Sequence, residues 1–206
     1  MHSQYEQIME VCEEVQEQIG RKILIGVTNG IPLKNQARLE RIMRNYHELR
    51  FSLETTDADT YRQVRGGDIE VIKDVIRRCV TYVRENNLEC RIGVTAVVMK
   101  ETLPTLETLA DFAIDEGLDL FHCQHIIPMA DSDVNRRVDS DPQLMALYNT
   151  IYDAIEAKMK KNPKVAYFMP QVFDSTEPMS AEDVARISTE AWLKEAEVAP
   201  APEPMN

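Results

Sequence analysis

The residues best suited to bind a ligand lie in the carboxyl-terminal halves of four predicted strands. Their hydroxyl, amide, carboxylate, imidazole and guanidinium groups can all hydrogen-bond a polar molecule. Burying so many polar groups without partners would cost a few kcal/mol each, so we expect water or a polar ligand to fill the space between them. For any single residue, a hydrogen bond to the neighbouring strand or loop explains its polarity equally well. The residues are Thr28, Arg50, Ser52, Glu54, Thr95, His122 and Gln124, with Asn29 at the rim.

The alternation of side chains divides each predicted strand into two faces. In the first strand, this division places Thr28 on the polar face, and Ile25 and Val27 on the face that helices cover. In the fourth strand, it places His122 and Gln124 on the polar face. We therefore expect the polar faces of all four strands to line one shared lumen. Parallel α/β sheets bind ligands at the carboxyl ends of their strands.

Strands and helices alternate along the chain, which is the pattern of a parallel sheet built from right-handed βαβ units. After Pro128 this rhythm gives way to a polar stretch, a helix, a short apolar stretch and a further helix that begins near Ser180. The predicted strands are 22–30, 49–55, 90–99 and 118–127, and the main predicted helices are 4–19, 34–46, 69–85, 103–117 and 142–161.

The composition excludes several functions. The formal net charge of -12 argues against an extended nucleic-acid surface, which needs clustered lysine and arginine. The four lysines of residues 158–164 are typical of a solvated helix end. No apolar run approaches the roughly 20 residues that a membrane helix needs. The first residues lack the pattern of a secretory signal, which predicts a cytoplasmic location.

The cysteine and histidine spacing predicts no metal site. Cys12, Cys79, Cys90 and Cys123 match no common ligand or redox spacing and are expected to be reduced structural thiols. In H-C-Q-H, alternation places Cys123 and His125 on the face opposite the other two residues, so three ligands do not converge there.

Four segments follow one another along the chain: V-T-N-G, F-S-L-E-T-T-D-A-D-T-Y-R-Q-V-R-G-G, G-V-T-A-V-V-M-K-E-T-L-P-T-L-E-T-L and H-C-Q-H-I-I-P-M. Taken in order, they resemble the later strands of the radical S-adenosylmethionine (radical SAM) superfamily, especially its cofactor-maturation and peptide-modifying branches. The likeness implies an incomplete parallel (β/α) barrel of the radical SAM (β/α)6 type, with about four βα units retained and C-terminal helices added. It implies a parent enzyme whose lumen holds a [4Fe-4S] cluster and S-adenosylmethionine, and which generates a 5′-deoxyadenosyl radical.

The same resemblance implies a set of cofactor-binding residues. Thr28 and Asn29 correspond to the strand end that helps to hold the methionine part of S-adenosylmethionine, and Ser52 to a serine that reaches its carboxylate or ribose. Gln124 corresponds to a position next to the adenine. Glu54 stands where aspartate is usual, and Thr95 stands where some members have an asparagine near the ribose. The full set is Thr28, Asn29, Ser52, Glu54, Thr95 and Gln124.

Two motifs of the superfamily do not occur in this sequence: the cluster-binding C-x-x-x-C-x-x-C loop and the G-G-E-P turn. We therefore expect the chain to be the C-terminal two-thirds of such an enzyme, from a gene or gene model truncated at an internal Met1. We expect it to be inactive alone, with the cluster ligands and an electron donor belonging to the intact parent. The predicted parts are a partial barrel over 1–130, a helical extension over 131–195 and a disordered tail over 196–206.

Two other interpretations remain open at this stage. One is a non-catalytic binding or partner protein that keeps the half barrel as a scaffold and is monodisperse, whereas a truncated barrel should expose an unpaired edge and associate. The other is an unrelated TIM-barrel lyase, for which Lys100 is the only strand-end lysine. The substrate, a small molecule or a peptide, is not identified by the sequence. Four charged residues after the last strand either contact it or form a solvated loop: Asp131, Asp133, Arg136 and Arg137.

Overall fold

The computed structural model of the protein describes residues 4–126 and 135–170. The expected helix near Ser180, the tail over 196–206, Asp131 and Asp133 lie outside these residues. Three single 3-10 turns, Ile31–Lys34, Leu103–Thr105 and Val138–Ser140, join longer elements. The longer elements are α1 (Gln4–Ile19), β1 (Leu24–Thr28), α2 (Gln36–Asn45), β2 (Tyr46–Ser52), α3 (Ala58–Arg65), α4 (Ile69–Glu85), β3 (Arg91–Val98), α5 (Leu106–Asp115), β4 (Leu120–His125), α6 (Pro142–Lys161) and β5 (Ala166–Phe168).

The five strands form one parallel sheet in the order β1-β2-β3-β4-β5. Each strand therefore lies beside its predecessor, and right-handed crossovers place the connecting helices on one face. This open parallel sheet confirms the predicted fold class. The predicted helix over 142–161 is confirmed as α6. The apolar stretch that follows it forms β5, which pairs with β4, so a strand lies within the segment 131–195 that was expected to be a helical extension.

Asparagine and aspartate side chains start four of the helices by accepting a backbone N–H of the first turn. This is the usual means of satisfying an otherwise unpaired donor at a helix N-terminus. Asn35 caps α2, Asp57 caps α3 and Asp68 caps α4. Asp141 caps α6, and the proline that follows fits the first helical turn because its missing N–H would have no partner there.

The hydrophobic core lies between the sheet and the connecting helices. Phe51 and Val94, which face the helices from neighbouring strands, are fully buried. Ile76 and Cys79 of α4 belong to the same core cluster. The opposite face of the sheet carries Arg50, Ser52, Thr95, His122 and their neighbours, and we call it the open face because many of its side chains are partly or fully exposed.

Exposed large apolar side chains concentrate at one edge of the sheet. The structure exposes nine of them among the residues it describes, and one, Phe168, lies on β5. Among the described strands, β1 pairs with β2 alone, so its other side is an edge. The remaining eight lie on α1, on β1 or beside β1, and we call them the apolar edge: Ile8, Val11, Val15, Ile19, Ile23, Ile25, Val27 and Ile31.

No helix among residues 4–126 and 135–170 has both the length and the apolar character needed to cross a membrane.

Gly93 allows β3 and β4 to approach closely in the middle of the sheet. A Cβ atom there would lie 2.6 Å from Leu120 Cβ and 2.7 Å from the Leu120 carbonyl oxygen. Gly93→Ala must therefore displace backbone, and we expect it to lower the free energy of unfolding by about 1 to 3 kcal/mol, measured by urea denaturation. Gly67→Ala is the control, because its Cβ would lie at an ordinary 3.4 Å from the Tyr61 ring. Equal stability of the two variants would contradict the packing of this strand pair.

Candidate functional site

The pairing register brings polar side chains into a row across the open face. Ser52 pairs with Thr95, Thr95 with His122, and His122 with Phe168. Paired residues of parallel neighbours point to the same side of a sheet, so these four side chains lie next to one another. Gln124, two residues after His122, lies on the same face and is exposed. The sequence-predicted placement of Ser52, Thr95 and Gln124 on one face is thus confirmed.

An ion pair lies at the end of this face formed by the carboxyl ends of the strands, which we call the upper end. Glu54 is 1% exposed, and its two carboxylate oxygens accept hydrogen bonds from Arg65, from Nε to Oε2 at 2.7 Å and from Nη2 to Oε1. Arg65 Nη2 also donates to Ser52 Oγ at 2.7 Å. The charge of the buried carboxylate is therefore matched, and the guanidinium, which remains partly exposed, is held beside the Ser52 hydroxyl.

A second cluster occupies the middle of the open face. Thr95 Oγ1 and His122 Nδ1 are 2.9 Å apart, and the His122 ring stacks on Phe168 with centroids 5.1 Å apart. Burial lowers the pKa of His122, and the positive charge of Arg50 lowers it further, which favours a neutral imidazole.

The lower part of the open face is held by a shared carboxylate. Glu48 is 4% exposed and accepts from Arg50 Nε at 2.6 Å through Oε1. Its other oxygen lies 3.2 Å from Arg91 Nη1. Glu48 thus bridges two guanidinium groups on adjacent strands, so this buried carboxylate has cationic partners.

The expected orientation of β1 is wrong. Thr28 pairs with Phe51, and a Cβ at Gly26 would point at Tyr46 and Leu49, so Thr28 lies on the helix-covered face. Its hydroxyl accepts from the Gly30 N–H at 3.1 Å. The apolar residues of β1 face the open side instead, because an edge strand does not have to bury its apolar side.

Asn29 does not join the row of polar residues. It follows β1, is exposed, and its side-chain oxygen accepts from the Ile31 N–H at 3.1 Å, which is a local turn interaction. The two described arginines after β4 are both in ion pairs, Arg136 with Glu101 at 2.9 Å and Arg137 with Asp139.

The described residues do not fit an iron–sulfur cluster. They contain no group of three His, Cys, Asp or Glu side chains that could hold a metal ion. Burial raises the pKa of Cys79 to about 12 and that of Cys90 to about 11, and it raises the pKa of Cys123 as well. These thiols are therefore protonated and inert at neutral pH. The register confirms that His122 and Gln124 face away from Cys123 and His125.

Arg65 is the residue of these clusters that the sequence interpretation missed. It lies at the end of α3, eleven positions after Glu54, and no strand alternation places it near the lumen. The available signal was electrostatic, since a carboxylate predicted to point into a lumen requires a cationic partner. The sequence offers Arg62 and Arg65 on the following helix, and only the structure distinguishes them.

Comparison with solved structures found chains of similar fold. The crystal structure of Streptococcus suis SuiB bound to S-adenosylmethionine matches with a TM-score of 0.59 and 17% identity, covering 82% of this chain and 38% of SuiB. SuiB bound to its precursor peptide SuiA matches with a TM-score of 0.56 and 16% identity, covering 82% of this chain and 37% of SuiB. The chain therefore spans well under half of the length of SuiB.

A domain of the pyruvate-formate lyase-activating enzyme from Bacteroides vulgatus matches with a TM-score of 0.52 and 14% identity, covering 80% of this chain and 91% of that domain. At these identities the likeness concerns the fold. Comparison with models of protein families gave no match, and neither did comparison with curated proteins.

The Glu54–Arg65 pair should contribute measurably to stability. Glu54→Gln removes the charge that matches Arg65 and leaves a buried amide in its place, so we expect a loss of about 2 kcal/mol in the free energy of unfolding. Asp59→Asn, which weakens the exposed pair of Asp59 with Arg62, should cost less than about 1 kcal/mol. Urea denaturation measures both variants. A Glu54→Gln protein as stable as the Asp59→Asn protein would contradict the pairing.

The lowered pKa of His122 predicts a specific pH dependence. Below the unfolded-state pKa of about 6.5, the unfolded chain binds a proton that the folded chain resists, so this residue makes stability fall as pH falls. His122→Gln should therefore flatten the stability profile from about pH 7 down to about pH 5. The same substitution at the exposed His47, His47→Gln, controls for the loss of an imidazole elsewhere on the chain. Equal slopes for wild type and His122→Gln would contradict the burial.

Proposed function

We propose that this chain is the S-adenosylmethionine-binding C-terminal part of a radical SAM catalytic core, and that the ligands of the [4Fe-4S] cluster lie outside this sequence. The observation that carries the proposal is the Arg65 guanidinium held beside the Ser52 hydroxyl at the carboxyl end of β2. A partly exposed cation with an adjacent hydroxyl is suited to the α-carboxylate of the cofactor. The similarity in fold to SuiB, which was solved with S-adenosylmethionine bound, supports the choice of ligand.

Each residue of the proposed site has a distinct role. Arg65 and Ser52 would bind the carboxylate, and Glu54 would act as a positioning residue because both of its oxygens are engaged by Arg65. Thr95 and Gln124 would provide further hydrogen bonds to the nucleoside from the adjacent strands. Thr28 is left out of the proposed site because it faces the helices.

In a complete radical SAM enzyme, S-adenosylmethionine supplies a 5′-deoxyadenosyl radical that abstracts hydrogen from a substrate. The described residues of this chain do not fit the cluster, so their proposed contribution is to bind and orient the cofactor. SuiB was solved with a precursor peptide, which supports a peptide as one of the two substrate classes for the parent; a small molecule is the other.

Isothermal titration calorimetry with S-adenosylmethionine tests the proposal. We expect Arg65→Gln to weaken binding by about tenfold to a hundredfold, because hydrogen bonds to charged groups contribute about 1.5 to 3 kcal/mol. Arg62→Gln is the matched control, since Arg62 lies on the same helix and pairs with the exposed Asp59 instead. The methyl ester of S-adenosylmethionine, which has lost the carboxylate charge, should bind the wild-type protein weakly and be indifferent to Arg65→Gln.

Two results would contradict the proposal. One is the absence of measurable binding of S-adenosylmethionine to the wild-type chain. The other is an equal affinity of the wild-type chain for the acid and its methyl ester. Because calorimetry reports binding directly, neither result depends on loading a cluster.

A further inference from the structure

A groove lies at the amino-terminal ends of β3, β4 and β5, which is the end of the sheet opposite the proposed cofactor site. Its volume is about 790 Å³, which falls within the range of small-molecule sites. The carboxyl-terminal ends of α4, α5 and α6 and the loops that follow them form its walls. Ser52 and Arg65 do not line this groove, so it is distinct from the site proposed above.

The floor of the groove is apolar. Leu118 and Val165 line it and are buried. Val83, Leu88 and Ile114 pack against the hydrophobic core but are only half-buried, so part of each side chain is left at the groove. An apolar group that covers this floor removes its surface from water, which is favourable.

Two arginines of the groove are held in place by the protein. Arg84 Nη2 donates to the carbonyl oxygens of Glu116 and Gly117 at 3.2 and 3.0 Å. Arg91 Nη1 lies 3.2 Å from the carboxylate of Glu48. Each guanidinium has five N–H donors, and both side chains remain partly exposed. The arginines therefore keep donors for a ligand while their directions are fixed.

Two lysines of the groove have no acidic partner in the part of the chain that the structure describes. Lys161 is the last residue of α6 and Lys164 precedes β5, and both are exposed. The neighbouring Lys160 differs from them, because it pairs with Glu156 at 2.7 Å and does not line the groove. The end of α6 therefore presents two unmatched charges to the groove.

The groove carries an excess of positive charge. Its acidic lining residues are Glu89 and Asp119, and Asp119 Oδ2 already accepts the Ile92 N–H at 2.8 Å. The excess lies at Arg84 and the two lysines, since Glu48 offsets Arg91. The chain as a whole has a net charge of -12, so an anion is repelled by the molecule overall but attracted to this patch.

We propose that the groove binds a small amphipathic anion, with its apolar body on the floor and its oxyanion, a carboxylate or a phosphate, held by Arg84, Lys161 and Lys164. An arginine with a fixed direction suits an oxyanion because its hydrogen bonds are charge-assisted, and lysines add charge without a fixed geometry. The proposal does not depend on S-adenosylmethionine binding, because the two sites lie at opposite ends of the sheet.

A titration of isotope-labelled chain with phenyl phosphate, followed by two-dimensional NMR, tests the proposal. This probe joins an apolar ring to a phosphate. We expect the amide shifts to centre on Leu88, Ile114 and Val165, with those of Ser52 and Arg65 unchanged. Inorganic phosphate lacks the apolar body and benzyl alcohol lacks the charge, so each should bind at least about tenfold more weakly than phenyl phosphate.

A double variant tests the role of the lysines. Lys161→Gln with Lys164→Gln removes two cations, and we expect it to weaken binding of phenyl phosphate about tenfold. Lys160→Gln is the matched control, because it removes one cation from the same helix end outside the groove. The substituted positions are exposed, so thermal melts of both variants should match wild type.

Several results would overturn the proposal. Equal affinity for phenyl phosphate and benzyl alcohol would show that the cations contribute nothing, and equal affinity for phenyl phosphate and inorganic phosphate would show that the floor contributes nothing. Shifts confined to Ser52 and Arg65 would place the anion at the other end of the sheet. Undiminished binding by the double variant, or equal weakening by Lys160→Gln, would likewise contradict the assignment.

Discussion

The ion pair between the buried Glu54 carboxylate and the partly exposed Arg65 guanidinium is the interaction on which the proposed site depends. It places a guanidinium over the carboxyl end of β2 and holds it beside the Ser52 hydroxyl. The carboxylate holds the arginine at the end of α3 over the sheet, because both of its oxygens accept hydrogen bonds from Arg65. Without the arginine, Glu54 would be a buried charge with no cation to match it, which costs several kcal/mol. The pair therefore fixes both the fold of the β2–α3 connection and the chemistry available at its surface.

The one-sided arrangement of helices gives this pair its setting. Because every strand follows its neighbour in order, the connecting helices cover one face and leave the other to side chains that bind each other or a ligand. Glu48 bridges Arg50 and Arg91 at the lower end of that face. Thr95 and His122 join in the middle, and Arg65 lies above. At the upper end, the Arg65 guanidinium is paired with Glu54 but remains partly exposed beside the Ser52 hydroxyl, where it is the proposed contact for an anionic ligand.

The sequence allowed the central strands and their faces to be predicted, because β2, β3 and β4 each alternate between core residues such as Phe51 and polar residues such as Ser52. The same rule failed for β1, where Ile25 and Val27 are apolar but exposed. Hydrophobic alternation identifies the covered face only when a strand buries its apolar side, and the edge strand β1 does not do so. Arg65 was missed because its position depends on the turn between β2 and α3, which no periodicity encodes. Departures from local sequence rules are expected at functional or strained sites.

The central claim is that S-adenosylmethionine binds on the open face, at the end of β2. The most direct measurement is a titration of isotope-labelled chain with S-adenosylmethionine, followed by amide chemical shifts in two-dimensional NMR spectra. The account predicts shifts centred on Ser52, Arg65 and Thr95, with those of the helix-facing Thr28 and of α5 unchanged. Shifts confined to the helix-covered side, or a spectrum that does not respond to the cofactor, would contradict it.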